Sequence, residues 1–349
     1  MIDLILSDRQ KMILRVIIND YTLSGVPVGS KVLSNQLPIH VSSATIRNEM
    51  AYLEKMGLIN KTHSSSGRVP STEGYRYYVD NLLASKPLTN EELLTIKKSL
   101  NGKFHKIDEI VKHSADILSN LTSYTALTLK PEKAMSSKLE GFRLVPLGNH
   151  QVMAIIVTDN QDVENQIFHI PDNVTGSQLE AVVRVINSKL VGKPIPVVIN
   201  KLKDEIRLEI SKYIKSPNGF LDTFYDVLSE VNRDKYYVGG QLNLLDFVDN
   251  TDVSYIKPLY ALLNRDDDVY KMLSNPRDPI SVQISPKTNN DLLKNYSVIT
   301  GSYDVGPYGK GMIAILGPTR MPYSKIISIV NGFSDELSKK LLQYYNHYD

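Results

Sequence analysis

Residues 42–78, SSATIRNEMAYLEKMGLINKTHSSSGRVPSTEGYRYY, place a serine-capped short helix, two strand-length segments and a basic glycine-serine tip one after another. Few small folds accommodate that order. Ser42 or Ser43 is a suitable N-cap, because a serine hydroxyl accepts hydrogen bonds from the unpaired amides of a first helical turn. Ile46, Met50 and Leu53 recur at helical spacing and form one apolar stripe. On a helical projection Ala44, Asn48, Ala51 and Lys55 fall on the opposite side, flanked by Thr45, Arg47 and Tyr52. Small side chains there let the helix lie deep in a groove. Arg47 and Asn48 suit guanine and adenine edges, and Ser43 and Thr45, at the positive helix end, suit phosphate or base contacts. Gly57 ends the helix.

Two apolar-rich segments precede it. Ser7 and Asp8 can cap a helix whose inward face is Met12 or Ile13, Val16, Ile17 and Tyr21 and which stops near Gly25 and Pro27. Ser30 can cap a second, shorter helix carrying Val32, Leu33 and Leu37; Pro38 blocks its continuation, leaving Leu37 to Val41 as the turn. Downstream, Leu58 to His63 read as a strand, Ser64 to Arg68 as a tip, and Val69-Pro70 as the way out. Three helices followed by a hairpin make a winged helix-turn-helix, a DNA-binding geometry. Its tip brings Arg68 near Lys61 and His63, where they can lie against a phosphate backbone or reach the minor groove. His63 also reads as a polar strand end. Arg76, at a helix start among Tyr75, Tyr77 and Tyr78, either meets DNA or packs its stem on the aromatic rings.

Composition narrows the function classes. A chain of 349 residues with 42% hydrophobic content is long enough for two or three domains with their own cores. The net charge of +2, from 40 Lys and Arg against 38 Asp and Glu, argues against a general polyanion binder. Between residues 28 and 76 the balance is more basic, with Lys31, Arg47, Lys55, Lys61, Arg68 and Arg76 against Glu49, Glu54 and Glu73. That modest excess fits a specific, dimeric DNA binder whose single module binds weakly. The absence of cysteine rules out a disulfide framework and any thiolate metal site. Seven scattered histidines show no paired metal spacing, and nothing joins a nucleophile to a base, so no catalytic, cofactor or metal residue is assigned and an enzyme is not expected. Asp266-Asp267-Asp268 lacks the spaced ligands and turn glycine of a calcium loop and reads as a solvated turn or helix start. No apolar run reaches membrane-spanning length, and Met1-Ile2-Asp3-Leu4 lacks the basic and apolar regions of a signal peptide, so a cytoplasmic chain without membrane contact is expected.

Past Tyr78 the character changes. Val79 to Leu83 finish a helix, and Lys86-Pro87 mark the edge of the DNA-binding domain, giving a first domain over 1–85. Residues 89–126 read as mostly helical, either as a dimer-contacting connector or as core packing. Strands are expected at Leu139 to Leu147, Gln151 to Val157 and Val163 to Phe168, then a helix from Thr175 to Leu190. A second sheet segment falls at Ile280 to Ile284, Tyr296 to Tyr303 and Met312 to Leu316, before a helix from Tyr323 to Tyr345. Antiparallel strands followed by helices make an α+β, sensor-like domain, interrupted by a less regular stretch over 201–277.

His63-Ser64-Ser65-Ser66-Gly67-Arg68-Val69-Pro70, then Gly74-Tyr75-Arg76-Tyr77-Tyr78-Val79-Asp80, then the distant Gly317-Pro318-Thr319-Arg320-Met321-Pro322-Tyr323 resemble the bacterial heat-inducible transcription repressor family, HrcA. The resemblance implies a repressor of chaperone operons that binds an inverted-repeat operator as a homodimer and is relieved by heat, with the GroE chaperonin as a partner that keeps it active. It also implies a helical connector and the first part of a GAF-like domain over 86–200 and the second part over 278–349, interrupted by an inserted dimerising domain at 201–277. Ser71 departs from the family's threonine, and Ser285-Pro286-Lys287 stand where relatives tend to carry a glycine and an acidic residue. Gly317 to Tyr323 has the glycine and arginine of a phosphate loop, but at a strand-to-helix junction it reads as structural. Thr45-Ile46-Arg47 with Tyr52-Leu53-Glu54 and Gly57 is similar also to repressors that sense sugar phosphates; those follow it with a different wing and a strand-helix alternation that this chain lacks.

Overall fold

The computed structural model describes residues 5–39, 41–62, 67–84, 87–131, 137–159, 163–170, 174–203, 205–213, 236–247, 256–263, 269, 273, 279–286 and 293–348. His63, Ser64 to Ser66 and Asp266 to Asp268 lie outside them.

The N-terminal part is the expected winged helix. Helix α1 (Asp8–Ser24) begins with a reciprocal cap between Ser7 and Gln10 and ends at Gly25. It buries Ile13, Leu14, Ile17 and Ile18, while Met12, Val16 and Tyr21 are only half-buried. The inward stripe is thus rotated from the expected one, because α1 packs against several neighbours and its deepest line faces their common centre. Helix α2 (Ser30–Gln36) is capped by Gly29 without a side-chain bond, so Ser30 is its first residue rather than its cap. Two turns bury Leu33 and Leu37 and leave Val32 exposed. Helix α3 (Ser43–Lys55) follows, then the hairpin strands β1 (Ile59–Lys61) and β2 (Arg68–Pro70), then helix α4 (Thr72–Asn81). The hairpin pairs Ile59 with Pro70 and Lys61 with Arg68, and Val28 bridges Arg68 from the other side. A Cβ on Gly74 would stand 2.0 Å from the Leu58 carbonyl oxygen, so only glycine lets α4 start this close to the hairpin.

Beyond it, α5 (Asn90–Ser99) and α6 (Ile107–Thr122) lead into strand β3 (Thr125–Leu129). Helical reading carried 89–126 too far: Ser123, at φ 60°, closes α6, and the chain turns into a fully buried strand. Next come β4 (Leu139–Gly148), β5 (Gln151–Thr158) and β6 (Val163–His169), then α7 (Gly176–Leu190), α8 (Ile195–Lys203) and α9 (Glu205–Ile210). Strand β7 (Tyr236–Gly239), a 3₁₀ segment (Gln241–Phe247), α10 (Ile256–Leu263), β8 (Ile280–Ile284), β9 (Tyr296–Asp304), β10 (Lys310–Pro318) and α11 (Tyr323–Tyr348) complete the described chain.

Five strands form an antiparallel sheet in the order β7-β3-β10-β9-β8. Its alternate residues serve two apolar clusters. Ala126, Ile299, Ile313 and Ile315 face α6 and α11, whereas Leu127, Val298, Ala314 and Leu316 pack with Leu244, Leu259 and Leu263. A sheet covered on both faces explains the nearly unbroken apolar run of β10.

The meander β4-β5-β6 is a separate sheet. Its inner residues Leu139, Phe142, Val152, Ile156 and Phe168 meet Leu179, Val182, Ile186, Val198 and Ile206 of α7 to α9 in their own cluster. The Asn187 side chain clamps α7 to β4, accepting from the Phe142 amide and donating to its carbonyl, both at 2.9 Å. The described residues of this unit fall between 139 and 213, and β7, from the stretch over 201–277, pairs with β3 in the main sheet. Alternation along a strand reveals which face is buried but not which sheet it joins, and β3 finds its partners more than a hundred residues away.

Candidate nucleic-acid interface

Helix α3 is built to present one face and anchor the other. The Ser42 hydroxyl accepts from the Thr45 amide at 3.1 Å and contacts the Thr45 hydroxyl at 2.9 Å. At the far end the Leu58 amide donates to Leu53 and the Gly57 amide to Glu54, with Gly57 at φ 74°, which glycine tolerates without strain. Ile46, Met50 and Leu53 are buried, contributing roughly 1.5–3 kcal/mol each by removal from water.

Two carboxylates fix the helix laterally. Glu49 accepts from Arg9 Nε at 2.7 Å and Gln10 Nε2 at 2.9 Å, tying α3 to α1. Burial alone would raise the Glu49 carboxyl, but the Gln10 amide and the Arg9 guanidinium outweigh it and hold it below its ordinary value. Glu54 accepts from Arg68 Nε at 2.9 Å, with Nη2 at 2.8 Å, tying α3 to the wing. Ala44, Arg47, Asn48, Ala51, Tyr52 and Lys55 remain exposed, and Ser43 and Thr45 are half-buried beside them. Arg47 Nε reaches Ser30 Oγ at 3.3 Å, which leans it toward α2. With both acids of α3 paired to arginines, its outward surface carries cations, amide and methyl groups: the inventory for reading bases between phosphates.

The expected DNA-contacting residues therefore divide. Arg47 and Asn48 lie on the exposed face of α3, with Ser43 and Thr45 half-buried on its two flanks, and Lys61 is exposed on the wing strand. His63 lies outside the described residues. Arg68 is not at a free tip: its side chain is 15% exposed and held by Glu54. Arg76 turns away from α3, donating through Nη2 to the carbonyls of Ile284 at 2.9 Å and Ser285 at 3.4 Å and pairing with Glu73. It joins the winged helix to the main sheet. The loop with phosphate-loop composition does likewise. Arg320 lies over the Tyr21 ring at 5.5 Å, the Tyr323 ring meets that of Tyr75 at 6.0 Å, and Ser324 Oγ donates to the Ala84 carbonyl at 2.7 Å. Sequence reasoning missed the roles of Glu49 and Arg320 because their partners lie far along the chain, and that of Glu54 because its partner Arg68 comes back to it only through the hairpin; the local hint was the two carboxylates of α3.

Residues 5–80 match the family model "Winged helix-turn-helix transcription repressor, HrcA DNA-binding", and residues 108–327 match "HrcA protein C terminal domain". The chain belongs to the HrcA family. The heat-inducible transcription repressor HrcA of Limosilactobacillus reuteri (strain DSM 20016) is 54% identical over 98% of this chain and 99% of its own. That of Ligilactobacillus salivarius (strain UCC118) is 49% identical over 99% of each. A solved protein described as hypothetical shares the HrcA fold seen here, with a TM-score of 0.62 at 23% identity, covering 97% of this chain and 99% of its own. HrcA proteins are transcription repressors, a non-enzymatic class. Among the described residues no helix is long and apolar enough to cross a membrane, and no group of three or more His, Cys, Asp or Glu is placed to hold a metal ion.

Proposed function

We propose that this chain represses heat-shock (chaperone) operons by binding an inverted-repeat operator as a homodimer, and that heat relieves the repression. The observation that carries the reading is the exposed surface of α3, where Arg47 and Asn48 stand between small residues while Glu49 and Glu54 are held by Arg9 and Arg68. Two copies set recognition helices into successive major grooves. The pairing surface is the outer face of β4-β5-β6, where Val145 and Ile167 flank Met153 across the strands and Ile155 lies between Arg143 and Asn165. Val145 is 40% and Ile167 51% exposed there, which leaves apolar surface for a second copy to cover. Helices α5 and α6 are spent on α11 and the main sheet, and Ile96, Ile110 and Leu118 are buried there, which favours their core-packing role over a dimer contact.

Assistance by the GroE chaperonin rests on the family resemblance. A net charge of +2 and 20 tyrosines fit that reading, since partly unfolded chains would repel one another weakly and gather. The test is a fluorescence-anisotropy titration of an inverted-repeat duplex from a chaperone promoter against a scrambled duplex at about 150 mM salt, with and without chaperonin. Selective binding that chaperonin strengthens supports the proposal; equal, weak binding to both duplexes counts against it. Arg47→Ala or Asn48→Ala should cost about 1–3 kcal/mol of discrimination, and Ile167→Asp should shift sedimentation from dimer to monomer.

A further inference from the structure

We infer that Arg68, with Glu54, is a positioning residue for DNA recognition that sets the wing against the recognition helix and does not itself hold a phosphate. The inference rests on the reading of α3 as the helix that meets DNA.

Arg68 is where three segments meet. Its backbone amide and carbonyl bond to Val28, both at 2.9 Å, ahead of α2. Across the hairpin it pairs with Lys61. Its guanidinium places Nε and Nη2 on one oxygen of Glu54, at 2.9 and 2.8 Å, in the last turns of α3. The cation is therefore spent within the domain. A wing of two three-residue strands has little rigidity of its own, since isolated hairpins are marginal in water. One side chain gripping the recognition helix from the wing supplies an angular restraint that the short ladder cannot. Glu54 benefits as well: a carboxylate on a helix facing phosphates repels them unless a cation covers it, and Arg68 is that cover. Among the described wing residues, the phosphate contact then falls to exposed Lys61.

The two roles predict opposite signs for one variant. Glu54→Gln removes a negative charge from a DNA-binding domain, so long-range electrostatics alone would tighten binding. If Arg68 is a brace, loss of its partner loosens the wing and weakens binding instead. The experiment titrates the full chain with operator and scrambled duplexes for the wild type, Arg68→Ala, Glu54→Gln, the double variant, and the exchanged pair Glu54→Arg with Arg68→Glu. Melting temperatures identify any variant that fails to fold; Glu54→Gln, nearly isosteric and at a partly exposed site, carries the test on its own. The expected result is a loss of operator affinity of about tenfold in each single variant, a double variant no worse than either, and recovery to within about threefold in the exchanged pair. Operator binding that stays level or tightens in Glu54→Gln while Arg68→Ala weakens, with no recovery on exchange, overturns the brace and makes Arg68 a direct contact. A wild type that bound both duplexes alike would overturn the assignment of α3 itself, and the brace with it.

Discussion

At the scale of single residues, the recognition helix depends on where its acids point. Glu49 is held below its ordinary value of 4.5 because Gln10 and Arg9 outweigh the effect of burial. A carboxyl depressed in the folded state contributes stability that is fully present above its unfolded value and is lost as pH falls through its folded one. Melting curves from pH 6 down to 3 should therefore show the wild type above Glu49→Gln at the neutral end and the two converging below about pH 4.5; a gap that stayed constant would show that Glu49 contributes by shape alone. Much at this scale was legible in the sequence. A serine cap at Ser42 or Ser43, Ile46, Met50 and Leu53 as the buried stripe and Gly57 as terminator all follow from local chemistry, and packing selects Ser42. The partners of Arg68 and Arg76 were not, because an exposed-looking arginine carries no local sign of which distant oxygen it will meet.

Among the elements, the loop after β8 records a local compromise. Ser285 adopts φ 50°, a left-handed conformation in which a side chain crowds its own backbone, and its carbonyl is one that Arg76 reaches. Ser285→Gly should stabilise the chain by roughly 0.5–1 kcal/mol, measured by urea unfolding, and leave the Arg76 contact in place. The strands of the meander were readable because alternation and turn residues mark a half-buried sheet. Strand β3 was not, since five consecutive buried residues after a helix show no period that separates strand from helix. The same limit hid β7, a four-residue edge strand whose place depends on pairing with β3.

Over the whole molecule, one apolar cluster runs from α1 and α4 through Met321 and Tyr323 into α11 and the main sheet, while the β4-β6 unit keeps its own. Calorimetry should accordingly resolve two transitions, with the winged helix and main sheet melting together and the 139–213 unit separately. A winged helix melting first, ahead of everything else, would contradict a shared core. Two-domain continuity of this kind could not be read from the chain, because Lys86-Pro87 has the composition of a linker whether or not the domains on either side are in contact. The clasp of Arg76 on Ile284 and Ser285, with Tyr323 against Tyr75, also has a consequence for the DNA. A reading head on a slack tether adjusts to whatever separation its target offers, whereas one welded to the body reaches only places on the duplex a fixed distance and rotation apart. For the proposed homodimer on an inverted repeat, inserting about five base pairs between the half-sites, half a helical turn, should therefore abolish operator binding although every contacted base is still present.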